Sequence, residues 1–89
     1  MNNQERIELI TTHLQAAFHP DFLIVIDESL KHKGHAGAAT GRGHFNIEIQ
    51  SHHFDACSKV QAHRLIYQAL GALMETDIHA LSIILKAAP

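Results

Sequence analysis

From Asn3 to Phe18 the apolar residues Ile7, Ile10, Leu14, Ala17 and Phe18 recur at intervals of three and four, which predicts a helix with one buried stripe. Pro20 and Asp21 end it, because proline biases His19 away from helical geometry. Phe22 to Glu28 reads FLIVIDE, a β-branched run too short for a helix, and predicts a first strand largely covered on both faces. His44 to Gln50, HFNIEIQ, alternates. Phe45, Ile47 and Ile49 fall on one side and Asn46, Glu48 and Gln50 on the other, so the second strand is expected to be half solvated. Ser58 then caps a second helix, KVQAHRLIYQAL, with Val60, His63, Tyr67 and Leu70 on one stripe and Leu65, Ile66 and Ala69 beside it. Gly71 kinks or ends that helix. A further turn from Ala72 to Glu75 precedes IHALSIIL, whose alternation predicts a third strand from Ile78 to Lys86.

The element order is therefore αββααβ. A helix between the second and third strands implies a right-handed crossover and parallel pairing, whereas the first two strands pair antiparallel. The expected architecture is α+β: a mixed three-stranded sheet with helices packed on one face, forming one domain over residues 1–89. Between the first two strands, Ser29 to Gly43 holds four of the five glycines and no sustained hydrophobic period. At roughly 14 residues this connection is far longer than an ordinary hairpin loop, and it is expected to be exposed, mobile and functional.

Composition narrows the function classes. Hydrophobic residues make up 46% of the chain and charged residues 18%, enough apolar content for one modest core. The apolar runs are too short to span a bilayer, and the polar N-terminus lacks the features of a secretory signal, so a cytoplasmic address without membrane contact is expected. Cys57 is the lone cysteine, so neither an internal disulfide nor a cysteine-rich zinc site can form. Its place near a helix start could lower a thiol pKa, although a small packed residue is the simpler reading. A net charge of −2 argues against a strong constitutive nucleic-acid binder. Nine histidines make that balance soft, because free histidine titrates near pH 6.5 and acidification is expected to turn the chain positive and raise its affinity for anions or DNA. No nucleophile elbow, phosphate loop, Ser/His/Asp ordering or HExxH motif is present, which argues against an enzyme.

Four segments carry a family resemblance: Asp27-Glu28-Ser29, Gly34-His35-Ala36-Gly37, His63-Arg64-Leu65-Ile66-Tyr67 and His79-Ala80-Leu81-Ser82-Ile83. His44-Phe45 before the second strand and Pro89 at the end add to it. Together they resemble the BolA proteins over nearly the whole chain. Departures are Phe54-Asp55-Ala56, where the family usually has Phe-Glu-Gly, and Ala62-His63-Arg64, where it usually has Arg-His-Arg. The resemblance implies a fold similar to class II KH domains. Gly34-His35-Ala36-Gly37 also satisfies the KH GxxG pattern, but it lies between strands rather than helices, so nucleotide clamping is not implied.

The resemblance further implies a non-enzymatic adaptor, monomeric when free, that forms a heterodimer with a monothiol glutaredoxin. The two would share a two-iron, two-sulfur cluster in iron–sulfur trafficking or iron homeostasis, with glutathione supplied by the partner and no cofactor held by the chain alone. Neutral imidazoles suit the second iron of such a cluster, as in Rieske-type centres. By motif, His79 matches the family's C-terminal ligand and His35 its loop ligand, with His32 the alternative to His35. His63 is a supporting candidate, more simply a hydrogen-bonded core or boundary residue. His13, His19, His52 and His53 are most simply solvent-facing or turn residues. A DNA-binding transcriptional regulator is the alternative the family also implies, with Lys31, Lys33, Arg42, Lys59 and Arg64 as candidate contacts to phosphates or to a protein partner.

Overall fold

The computed structural model describes residues 2–29 and 42–87. Helix α1 spans Asn3–Phe18. It starts where the Asn2 side chain accepts a hydrogen bond from the Glu5 N–H at 2.8 Å, with the Glu5 carboxylate favourably placed in the first turn. It stops at His19, which takes the left-handed conformation (φ 42°) and donates its N–H to the Gln15 carbonyl. Pro20 cannot continue it. The stripe it buries is Ile10, Leu14 and Phe18, flanked by half-buried Ile7, while Ala17, expected inside, is exposed.

Strand β1 spans Phe22–Asp27, β2 spans Gly43–Gln50 and β3 spans Ile78–Leu85. The sheet order is β1-β2-β3, with β1 antiparallel and β3 parallel to the central β2, as the crossover rule requires. Phe45, Ile47 and Ile49 of β2 are almost completely buried against Ile10, Leu14 and Phe18 of α1 and against the second helix. The apolar side of β2 follows the sequence pattern, but the strand is not half solvated: Gln50, expected on the solvated side, is 4% exposed, and Asn46 and Glu48 are half-buried, because β2 is the central strand. The other face of the sheet is open, and here the expectation for β1 fails: Phe22, Ile24 and Ile26 are exposed, and only Leu23 and Val25 turn inward. The apolar run covers one face, not two, because both helical layers lie on the same side of an edge strand.

After β2, Ser51 fastens the corner by donating its hydroxyl to the Phe18 carbonyl at 2.7 Å and accepting the His53 N–H at 3.1 Å. A 3-10 turn, His52–Phe54, follows. Helix α2 spans Lys59–Leu70 and opens with a capping box: the Ser58 side chain accepts the Gln61 N–H while the Gln61 side chain accepts the Ser58 N–H. Its buried stripe is Ala62, Ile66 and Leu70. This corrects the expected stripe: Val60 and Tyr67 point to solvent, at 59% and 40% exposure, and Leu65 is exposed as well. Gly71 ends the helix with φ 55° and its N–H on the Tyr67 carbonyl. The short helix α3, Leu73–Thr76, leads into β3. Arg6 of α1 closes the fold by pairing with Asp77 at 3.0 Å, both side chains largely buried.

Candidate functional site

The β2–β3 ladder contains one irregular step. Gly43 pairs with Ile78 and His44 with Ala80, so His79 is an extra residue on β3. Bulges of this kind re-aim a side chain. Ile78 is buried and belongs to the core, while the next residue, His79, is exposed. The His79 ring lies 5.0 Å from the His44 ring, centroid to centroid, with the two planes inclined by 52°. His44 itself is only 7% exposed. The pair thus offers one solvent-facing imidazole backed by a buried one.

The backbone around this pair is held from several sides. The Gly43 N–H donates to the Asp77 carbonyl at 3.0 Å, and the Glu28 N–H donates to the His44 carbonyl at 2.8 Å. The Ser29 hydroxyl accepts the His44 N–H at 3.1 Å and a further bond from the Asn3 side chain. The Ser29 N–H caps the Asp27 carboxylate at 2.8 Å. Burial acts to raise the Asp27 pKa, but hydrogen bonds from the Ser29 side chain and backbone and from Asn3 outweigh it and hold the carboxyl below its usual range. The Asp27-Glu28-Ser29 segment is therefore a clasp on the His44 backbone. Gly43 has no room for a side chain, since a Cβ there would lie 2.5 Å from the buried Phe45 ring.

Beside His79 stands Arg42. Its Nη1 donates to the Glu75 carbonyl at 2.8 Å and its Nη2 contacts His79 Nδ1 at 3.3 Å. Below the pair, on the open face of the sheet, a groove of about 440 Å³ is lined by Glu28, His44, Asn46, Ala80, Ser82 and Ile84.

Of the residues singled out from sequence, His79 and Arg42 come together here. His32, His35, Lys31 and Lys33 lie outside the described residues. His63 sits half-buried on α2 with its Nε2 buried and without a hydrogen-bond partner, so the boundary position holds but the expected hydrogen bond at that nitrogen does not. Lys59 and Arg64 are both exposed on α2, five residues and so about 140° apart around the helix, and do not share one face. Cys57 is a half-buried free thiol whose Sγ lies 3.6 Å from the His53 carbonyl. His44 was missed as a site residue. Its signal was the parallel pairing of two strands that open with Gly43-His44 and Ile78-His79, which brings the two imidazoles to the same end of the sheet.

Imidazole is a nitrogen donor that iron accepts, and His79 is exposed with the His44 ring beside it. Among the described residues no three or more His, Cys, Asp or Glu side chains converge to form a metal site.

Comparison with known proteins now bears on this arrangement. Residues 14–88 match the family model for BolA-like proteins. The chain belongs to the BolA family. Proteins of the BolA family are non-enzymatic. The chain is 36% identical over 86 residues to "Protein BOLA1, chloroplastic" of Arabidopsis thaliana, covering 93% of this chain and 54% of that protein. It is 39% identical over 80 residues to "DNA-binding transcriptional regulator BolA" of Escherichia coli K12, covering 90% and 70%. It thus spans about half of the first relative and rather more of the second. Among solved structures, the BolA domain of SufE1 from Arabidopsis thaliana superposes with a TM-score of 0.80 at 38% identity, covering 91% of this chain and 90% of that one. The mixed-sheet α+β architecture is the BolA fold, as BolA1 of the same plant also shows, with a TM-score of 0.77 at 37% identity over 91% of this chain and 89% of that one. No helix among the described residues is long and apolar enough to cross a membrane.

Proposed function

We propose that this BolA protein, as one domain over residues 1–89, is an adaptor that binds a monothiol glutaredoxin in the cytoplasm and helps coordinate a shared two-iron, two-sulfur cluster. The observation that carries this reading is the bulge at His79, which takes one imidazole out of the strand alternation and exposes it beside buried His44. His79 supplies one ligand, and His35, or His32 in its place, supplies another. The remaining ligands come from the partner's cysteine and its bound glutathione. The cluster is cargo, and the chain alone holds none. It is monomeric when free and heterodimeric with its partner. Lys59 and Arg64 contribute to partner binding from separate faces of α2, and His63 supports the site from the helical layer.

Cluster-loaded monothiol glutaredoxin titrated with this protein tests the reading through visible circular dichroism. A saturating change at one-to-one stoichiometry is expected, lost in His79→Ala and in either His35→Ala or His32→Ala. An unchanged response in His79→Ala contradicts it.

A DNA-binding regulator is the second reading, favoured by the similarity to the DNA-binding transcriptional regulator BolA of E. coli. Strong DNA retention by the free protein at neutral pH, lost when Lys59 and Arg64 become glutamate, would favour it over the adaptor.

A further inference from the structure

Arg42 immediately precedes β2, and its guanidinium reaches across to the start of β3. Both ends of that reach are set by main chain. The Gly43 N–H is bonded to the Asp77 carbonyl, and the acceptor for Nη1 is the Glu75 carbonyl of α3, whose end is closed by the Asp77 N–H on the Leu73 carbonyl. From this anchored position Nη2 lies 3.3 Å from His79 Nδ1. A guanidinium has donors and no acceptor, so the contact requires a lone pair on Nδ1. A neutral imidazole has only one such lone pair, and its proton then resides on Nε2.

We propose that Arg42 is a displaceable guard on His79, so that neither ring nitrogen ligates a metal until the guanidinium has left Nδ1. The inference rests on the reading of His79 as a cluster ligand. Ligation through Nδ1 takes the lone pair that Arg42 occupies. Ligation through Nε2 transfers the ring proton to Nδ1, where it would meet the Arg42 N–H, donor against donor. Both routes therefore displace Arg42 from the ring while its bond to Glu75 can remain. Arg42 is in this sense a positioning residue: it fixes the tautomer of the free ring and sets the threshold for ligation.

The test compares the wild-type protein with Arg42→Met, which keeps an unbranched apolar stem and removes the guanidinium donors. Long-range proton–nitrogen NMR correlations in mildly alkaline buffer should place the His79 proton on Nε2 in the free wild-type protein. The variant should gain the Nδ1-protonated form. Zn²⁺ titrated into both free proteins and followed on the His79 ring signals should bind the variant about threefold or more tightly. Cluster-loaded monothiol glutaredoxin, followed by visible circular dichroism, should engage the variant at correspondingly lower concentration. A wild-type ring protonated on Nδ1, a variant with unchanged tautomer, or equal or weaker Zn²⁺ binding by the variant overturns the guard. If the tautomer and Zn²⁺ differences hold and neither protein responds to the glutaredoxin, the guard stands and the adaptor reading falls.

Discussion

His44 and His79 meet ring to ring, 5.0 Å between centroids, across the bulge in the β2–β3 ladder. One ring is buried and the other exposed, so the first acts as a fixed backing for the second. Groups that orient a ligating imidazole tune its affinity, and losing one commonly costs about 10–100-fold. His44→Ala is therefore expected to weaken the response to cluster-loaded glutaredoxin about tenfold. His44→Phe, which retains a ring against His79, should recover most of that loss. The circular dichroism titration reads both, and wild-type affinity in His44→Ala would remove the positioning role.

Gly43 joins Arg42 to His44 and leaves no space for a methyl group against Phe45, which is 2% exposed. Gly43→Ala forces the Phe45 ring or the strand to move, and such overpacking costs about 1–3 kcal/mol. Urea unfolding should show that loss, and the His79 resonances should shift with it because the strained segment pairs directly with Ile78.

Asp77 links the same end of the sheet to α1. Hydrogen bonds from Thr76 and then Arg6 hold its carboxyl below the ordinary range, against a smaller opposing effect of burial and with help from the Arg6 charge. Since the folded pKa lies below the unfolded one, the stabilisation is complete above the unfolded value of 3.8 and fades as pH falls through the folded value. Arg6→Met should cost about 1.5–3 kcal/mol at neutral pH, the scale of a hydrogen bond to a charged group. The cost should be smaller in strongly acidic buffer, once pH has fallen through the lowered folded value of Asp77, than at neutral pH. Equal costs at both pH values would contradict the pairing as its source.

His52 behaves in the opposite sense. It bridges Asp55 through Nδ1 at 3.0 Å and Asp21 through Nε2 at 3.3 Å, tying the start of β1 to the turn after β2. The hydrogen bond to Asp55, followed by the charges of Asp55 and Asp21, raises its pKa above the usual 6.5. The stabilisation is thus full below the unfolded value and is lost as pH rises through the raised folded value. Melting temperatures of wild type and His52→Ala should differ most in mildly acidic buffer and converge in mildly alkaline buffer. The group is exposed, so the difference is small, and a reversed pH trend would refute the bridge.

Much of this fold was legible in local pattern. The stripe of Ile10, Leu14 and Phe18 and the alternation of β2 each repeat with a period that only one element satisfies. The run FLIVID in β1 is different, because an unbroken apolar sequence reads alike whether one face or both are covered. The stripe of α2 was ambiguous for a related reason: Val60, Leu65 and Tyr67 are as apolar as the residues that α1 and the sheet select, and only tertiary contact decides among them. His79 is legible as a candidate because its motif places it at the opening of a strand. His44 escaped because alternation assigned it to the solvent face, whereas a strand neighbour and a bulge, both non-local, bring it against His79. Arg42 was read as a surface cation for phosphates or a partner, and its engagement with Glu75 and His79 depends on a crossover that no short sequence window contains.

If the His79 imidazole binds iron in a complex with a monothiol glutaredoxin, its nitrogen must couple to the cluster. Pulsed electron paramagnetic resonance of the reduced complex measures this directly, through the coupling of ligand nitrogen nuclei to the cluster spin. Hyperfine couplings from coordinated imidazole that change when ¹⁵N-histidine is incorporated and lose one component in His79→Ala are the expected result. A reduced cluster with no histidine nitrogen coupling, or couplings identical in His79→Ala, would contradict it.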